Sequence, residues 1–165
     1  MQKTARHLLF ILSLALAQST IAAEAPKRYI GKTAMFYVNG DMPFLTRVDT
    51  GARTTSINAQ NVDIADAAED KNDNIGKQVS FTIINGKGEE RRITSTIQGV
   101  TKVRNSQGTE YRYEVPMKLR WEDIETTLNV NLRDRKTMSY KLLLGRDWMH
   151  GRVVVDVDNN EGLQN

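Results

Sequence analysis

Apolar residues recur at every second position along much of this chain: Val79, Phe81 and Ile83, then Val115, Met117, Leu119 and Trp121, then Leu128, Val130 and Leu132. That period sends successive side chains to opposite faces of an extended backbone, so each stretch can bury one face and leave the other to solvent or ligand. A mainly β domain follows. Turn chemistry divides the strands at Asn39-Gly40, at Asn85-Gly86-Lys87-Gly88 and at Asn105-Ser106-Gln107-Gly108, each flanked by β-prone residues, which predicts several hairpins and little helix. The stretch from Asn61 to Ile75 departs from the pattern, with Asp63, Asp66, Glu69, Asp70 and Asp73 and few large apolar groups. It reads as a solvated loop holding at most a helical turn.

The N-terminus sets an expected compartment. Lys3 and Arg6 precede the apolar segment from Leu8 to Ala17, and Ala22 and Ala23 then offer small residues for cleavage. A span of bilayer needs about 20 apolar residues, so this order describes a secretory signal rather than a stable membrane anchor. The expected organisation is a signal peptide over 1–23, one domain over 24–158 and a flexible tail over 159–165, in a periplasmic or secreted protein. Loss of Lys3 and Arg6 would leave 21 basic residues from 23 against 20 acidic ones, so the formal charge of +3 falls to +1. Nucleic-acid binding has no electrostatic basis at that charge. The chain has no cysteine, which excludes disulfides, a thiol nucleophile and a cysteine zinc site.

One short segment carries candidate chemistry: Phe44-Leu45-Thr46-Arg47-Val48 ends in Asp49-Thr50-Gly51-Ala52. A carboxylate at the end of a strand, followed by a hydroxyl and a glycine that permits a sharp turn, can be aimed into a cleft. Asp-Thr-Gly alone reads first as an ordinary turn. A second segment, Leu142-Leu143-Leu144-Gly145-Arg146-Asp147-Trp148-Met149 with Val153-Val154-Val155-Asp156-Val157 beyond it, shifts that balance. Together the two motifs resemble the retropepsin-like aspartic peptidases. Within them, Val48 to Ala59 is similar to a bacterial family that often carries the label ATP-dependent zinc protease, some of whose members accompany an ATP-grasp glutamate ligase. The resemblance extends from Tyr29 to Val157, with its specific motifs at the two ends.

The resemblance implies an all-β, retropepsin-like acid protease barrel with one lobe per chain, acting as an aspartic endopeptidase. It implies that Asp49 is the acid-base carboxylate, that Thr50 braces two such loops across a two-fold axis, and that Gly51 and Ala52 allow their approach. Leu143, Leu144 and Gly145 would pack beneath the Asp49 loop, and a flexible hairpin would cover the substrate. The turn Asn105-Ser106-Gln107-Gly108 is the candidate flap, with Asn85 to Gly88 as its rival. Hydrolysis of an amide by water needs one group to accept a proton and another to donate one, and two close carboxylates sharing a proton can do both. The chain has a single Asp-Thr-Gly, so the mechanism calls for a homodimer that supplies a second Asp49. Ninety-six positions separate Asp49 from Gly145, so extra strands or a longer flap must lie between them.

Metal and nucleotide chemistry find little in the inventory. Beyond the expected signal the one histidine is His150, and no paired-histidine helix or Gly-rich phosphate loop is present. The family motif often ends in a histidine where this chain has Asn58, which weakens a metal site further. No cofactor and no metal are therefore expected. Two alternatives stand beside the peptidase: a catalytically silent module that binds a peptide or an envelope partner, and a metal-dependent peptidase. Between Lys87 and Arg120 lie eight basic residues (Lys87, Arg91, Arg92, Lys102, Arg104, Arg112, Lys118 and Arg120) against four acidic ones, Glu89, Glu90, Glu110 and Glu114. Should several of these cations line the cleft, acidic peptides are the favoured substrates; otherwise they form a solvated strand face.

Overall fold

The computed structural model describes residues 27–105 and 108–159. The expected signal peptide, Ser106 and Gln107 of the candidate flap, and residues 160–165 lie outside them. Strand-forming sequence dominates: β1 (Arg28–Ile30), β2 (Thr33–Val38), β3 (Met42–Val48), β4 (Ser56–Ile64), β5 (Gln78–Ile84), β6 (Glu90–Thr96), β7 (Gly99–Asn105), β8 (Gly108–Trp121), β9 (Ile124–Arg133), β10 (Leu142–Leu144) and β11 (Val153–Val155). A 3-10 turn at Lys71–Asn74 and the four-residue α1 (Arg146–Met149) are the helical pieces among the described residues. The all-β expectation from period two is met.

Six strands close on themselves in the order β10, β3, β2, β8, β9, β4 and back to β10. Closure depends on the three residues of β10. They run parallel to β3, with Leu142 opposite Thr46 and Leu144 opposite Val48, and antiparallel to the start of β4, with Leu142 opposite Ile57. A closed ring leaves no free edge within the barrel wall. Phe36, Phe44, Ile57, Met117, Leu119, Leu142 and Leu144 fill the interior, all with relative exposure below 2%. The fully buried Trp148 of α1 adds its ring to that core, packed edge-on against Phe36 at 5.0 Å and Trp121 at 6.4 Å between centroids.

Two additions account for the long interval between the motifs. β4 outruns the barrel, and its second half pairs with β5, which in turn pairs with β6. A register shift between Gln60 and Asp63 marks the departure, and Asn61 within it takes up the left-handed φ of +50°. Residues 61–64 are thus strand where a loop was expected, because Val62 and Asp63 continue an extended edge after the bulge; the 3-10 turn follows as expected. β8 is the second addition. From Glu114 to Trp121 it pairs with β9 in the barrel, while Gly108 to Tyr113 pair with β7 alone as a two-stranded arm. Outside the ring, β1 and β11 form a separate parallel pair.

Candidate active site

Asp49 follows the last residue of β3. Its N–H donates to the Leu144 carbonyl of β10 at 3.0 Å, so the parallel pairing of the two motifs fixes where the loop begins. One carboxylate oxygen, Oδ1, accepts from the Gly51 N–H at 2.9 Å and the Ala52 N–H at 3.2 Å. A carboxylate gripped by backbone donors is oriented at little entropic cost. Oδ2 meets no hydrogen-bonding partner among the described residues. Glycine at 51 has a steric reason as well, since a Cβ there would lie 3.1 Å from Asp49 Oδ1.

The second motif forms a cradle under this loop. Arg146 Nη1 donates to the carbonyls of Thr50 at 2.9 Å and Gly51 at 3.1 Å; the Arg146 N–H donates to Ala52 and the Asp147 N–H to Arg53. The Asp147 carboxylate accepts the Thr55 N–H, the Thr55 hydroxyl and the Trp148 N–H, at 2.8, 2.7 and 2.8 Å. Gly145 N–H closes the circuit on Thr55 Oγ1 at 3.0 Å. A Cβ at Gly145 would fall 2.5 Å from the Thr54 carbonyl carbon, so only glycine lets the two motifs touch. Arg146, Asp147 and Thr55 carry this scaffold, although sequence reasoning gave them no role. For Arg146 and Asp147 the signal was present in the Gly-Arg-Asp run after three leucines.

A cavity of about 500 Å³ opens at Asp49. Gly51, Ala52, Arg53, Thr54, Ser56 and Leu143 form one side, and Thr101 to Arg104 of β7, Arg112 of β8, Arg133 of β9 and Arg135 the other. Leu144 and Gly145 sit under the Asp49 loop, whereas Leu143, one position out of phase, reaches the cavity. Thr50 is exposed and borders a smaller recess of about 280 Å³ with Lys27, Arg146, Met149, His150, Val153 and Val155. The β7–β8 hairpin is thereby the one whose described residues, Thr101 to Arg104 and Arg112, reach the cavity. The rival hairpin is tied elsewhere: Asn85 Nδ2 donates to the Pro43 carbonyl, and its turn borders a separate recess with Met35 and Leu45.

Six cations, Arg53, Lys102, Arg104, Arg112, Arg133 and Arg135, line the cavity with one carboxylate, Asp49. Of the eight basic residues singled out between Lys87 and Arg120, three are here. The others have separate engagements: Arg91 pairs with Asp41, Arg92 donates to the Asn61 carbonyl, Lys118 pairs with Glu125 and Arg120 stacks on Tyr37, while Lys87 borders the recess beside Pro43. Arg53, Arg133 and Arg135 were missed, because single arginines beside strands resemble ordinary surface residues. Arg135 is only 5% exposed; burial pushes its pKa down to about 10, helped by the charges of Arg133 and Arg112, while Asp49 works in the opposite direction.

Asn58, at the position where a histidine was expected from the resemblance, is buried. Its Nδ2 donates to the Ile84 carbonyl and its Oδ1 accepts from the Arg135 N–H, so it ties β4 to the segment carrying that arginine. Among the described residues no group of three or more histidine, cysteine or acidic side chains is disposed to hold a metal ion. His150 is exposed and beside Met149, away from Asp49's cavity.

A single-lobed β-barrel with an Asp-Thr-Gly loop against a Leu-Leu-Gly strand is the retropepsin-like fold. The chain belongs to the RimB-like family, described as retropepsin-like aspartic endopeptidase RimB, whose model matches residues 31–163. A protein of unknown function from Legionella pneumophila subsp. pneumophila str. Philadelphia 1 shares the fold in its crystal structure. Its TM-score is 0.66 at 24% identity, covering 82% of this chain and 97% of that one. A curated protein of Parasynechococcus marenigrum (strain WH8102), named a probable alpha-L-glutamate ligase, is 32% identical over 121 residues. That match takes in 71% of this chain and 25% of the relative, so the chain spans about a quarter of that protein's length.

Proposed function

We propose that this protein is a homodimeric aspartic endopeptidase that hydrolyses acidic peptides, with one Asp49 from each copy. The observation that carries the reading is the Asp49 carboxylate: Oδ1 fixed by two backbone N–H groups, Oδ2 unpartnered, at the edge of a cavity large enough for several peptide residues. In the paired site the ionised Asp49 takes a proton from water while its protonated counterpart gives one to the scissile carbonyl oxygen. The hydroxyl adds to the carbonyl carbon and a tetrahedral diol results. Return of a proton to the amide nitrogen lets the C–N bond break, yielding a carboxylic acid and an amine.

Dimerisation is supported by the surface on the Thr50 side of the loop. Thr50 is exposed beside the apolar groups Met149, Val153 and Val155; the neighbouring β1–β11 pair exposes Tyr29 and Val154, and Val157 just beyond it is exposed too. A two-fold contact there would bring the two loops together. Acidic substrates are supported by the six cations around one carboxylate, which attract and orient negative peptides. The relative named a probable alpha-L-glutamate ligase carries a segment similar to this chain within about a quarter of its length. A periplasmic or secreted location rests on the N-terminal segment alone.

The test is peptide cleavage by the full chain and by Asp49→Asn. Cleavage that disappears in a variant with unchanged thermal denaturation supports the enzyme. Peptide binding that is equal in both proteins, with no cleavage by either, favours the silent module; activity abolished by a chelator and restored by a metal ion favours the metal-dependent alternative.

A further inference from the structure

β9 ends at Arg133, and its two neighbours run on without it. Up to that point β9 lies between β8 and β4, with Asn131 opposite Glu114 on one side and opposite Ser56 on the other. The chain then leaves the sheet, held aside by the Arg135 N–H, which donates to Asn58 Oδ1, and by Arg135 Nε, which donates to the Tyr140 carbonyl. Among the described residues, β8 from Gly108 to Tyr113 is paired with β7 alone and β4 from Ala59 to Ile64 with β5 alone. Two open strand edges therefore flank the line that β9 abandons, and an open edge is a template for a further strand.

The side chains along that line form a groove. Alternation puts Tyr111 and Tyr113 on the face of the arm opposite to Arg112. With Val62, Ile64, Ala67 and Leu132 they line a cavity of about 430 Å³. Lys71 and Tyr111 lead on into a second of about 400 Å³, beside Glu69, Asp70 and Asn72. Val62 and Tyr111 are 42% and 45% exposed, which is much for large apolar groups lining one concave surface.

The rim sets the charge of what can lie there. From Asp63 to Lys77 the chain has five acidic residues, Asp63, Asp66, Glu69, Asp70 and Asp73, against Lys71 and Lys77. None of the five forms an ion pair among the described residues. Lys71 is drawn over the Tyr113 ring and Lys77 donates to the Asp66 carbonyl. The two faces of the arm thus differ in sign: cations crowd the Asp49 cavity, and carboxylates border the groove behind it.

We propose that this groove docks an extended, basic segment of a partner protein, which adds as a strand in the line of β9. Main-chain hydrogen bonds to the open edge of β8 hold the segment, alternate apolar side chains settle on Val62 and Tyr111, and the Lys or Arg side chains between them meet Asp63, Glu69 and Asp70. The site is separate from Asp49 and stands whether or not the chain cleaves peptides. A strand laid on Thr109 to Arg112 also ties down an arm that β7 alone now pairs with.

Binding is measured to the full chain carrying Asp49→Asn, which leaves the probes intact. The probe is a short, fluorescent, C-terminally amidated peptide of alternating Lys and Val. Its controls carry Glu for Lys, Ser for Val, or N-methyl groups on alternate backbone nitrogens. The Lys–Val peptide should bind on the order of tenfold more tightly than each control, because each removes the charge, the apolar contact or the main-chain hydrogen bonds. Val62→Lys should weaken it about tenfold and Asp63→Asn about threefold, both at exposed positions where the fold tolerates change. Arg53→Gln, on the Asp49 cavity, should leave it within about twofold. Amide exchange between Thr109 and Arg112 should slow when the peptide is bound. Equal binding of the N-methylated peptide overturns strand addition, and equal binding of the Glu peptide overturns the basic partner. Binding lost in Arg53→Gln but kept in Val62→Lys moves the occupant to the Asp49 cavity and overturns the site. Self-association of the chain that Val62→Lys abolishes seats a second copy there instead, and no binding of any of these peptides overturns the proposal outright.

Discussion

The loop that carries Asp49 and the arm that overhangs it use hydrogen bonds differently. From Thr50 to Arg53 each backbone carbonyl accepts a donor from Arg146 or Asp147, and Thr55 is held at its N–H and hydroxyl by Asp147 and at its carbonyl by Asn131. The arm from Gly108 to Tyr113 pairs with β7 alone, steadied at its base by Tyr113, whose hydroxyl accepts from Asn74 and whose ring lies under Lys71. Segments with few neighbours open locally at low free energy, and well-connected ones open with the whole domain. On the proposed peptidase reading, the loop would be the rigid mount for the carboxylate and the arm the cover that admits the peptide.

The difference can be broken at its rigid end first. Gly145→Ala forces a Cβ onto the Thr54 backbone and should cost about 3 kcal/mol, whereas Gly108→Ala, at φ +127° with open space around it, should cost about 1 kcal/mol. Chemical denaturation of the two variants checks the ordering, and equal losses would contradict it. Asp147→Asn should come next, at about 2 kcal/mol, because it weakens three charge-assisted hydrogen bonds. Glu110→Gln on the arm, partly exposed and so screened by solvent, should fall below about 1 kcal/mol. Amide hydrogen exchange sharpens the contrast without mutation, since the arm amides of Lys102 and Arg104 should exchange well before those of Asp49 and Ala52.

The smallest expected effect lies outside both regions. The Arg28 guanidinium holds the Asp123 carboxyl below its usual 3.8. A lowered folded pKa contributes stability that is present above 3.8 and disappears as pH falls through the folded value. Asp123→Asn should thus destabilise slightly at neutral pH and not at all in strong acid, a difference readable from denaturation at the two pH values. A loss that grows on acidification would reverse the sign.

Much of this architecture was legible in the chain because period two needs only local information: Val79, Phe81 and Ile83 and the run from Val115 to Trp121 are buried as the alternation requires. Ring closure was not legible. It depends on Leu142 lying between Thr46 and Ile57, distant in sequence and set by packing rather than by turn chemistry. The hairpin at Glu122-Asp123 also lacks the usual Asn-Gly signal, and Glu122 adopts φ +51° with its carboxylate paired to Arg28. At the site, Asp49, Thr50 and Gly51 stood out in one contiguous motif and Gly145 in a second. Arg53, Arg133 and Arg135 converge only through the fold, and an isolated arginine carries no periodic signal.

Everything catalytic in this account requires two Asp49 side chains to meet. A crystal structure of the native assembly measures their separation directly. The account predicts a two-fold dimer through the Thr50 loops with the two carboxyl groups about 3 Å apart, close enough to share a proton; Asp49 carboxylates that face apart, or a monomer that still cleaves peptides, would contradict it.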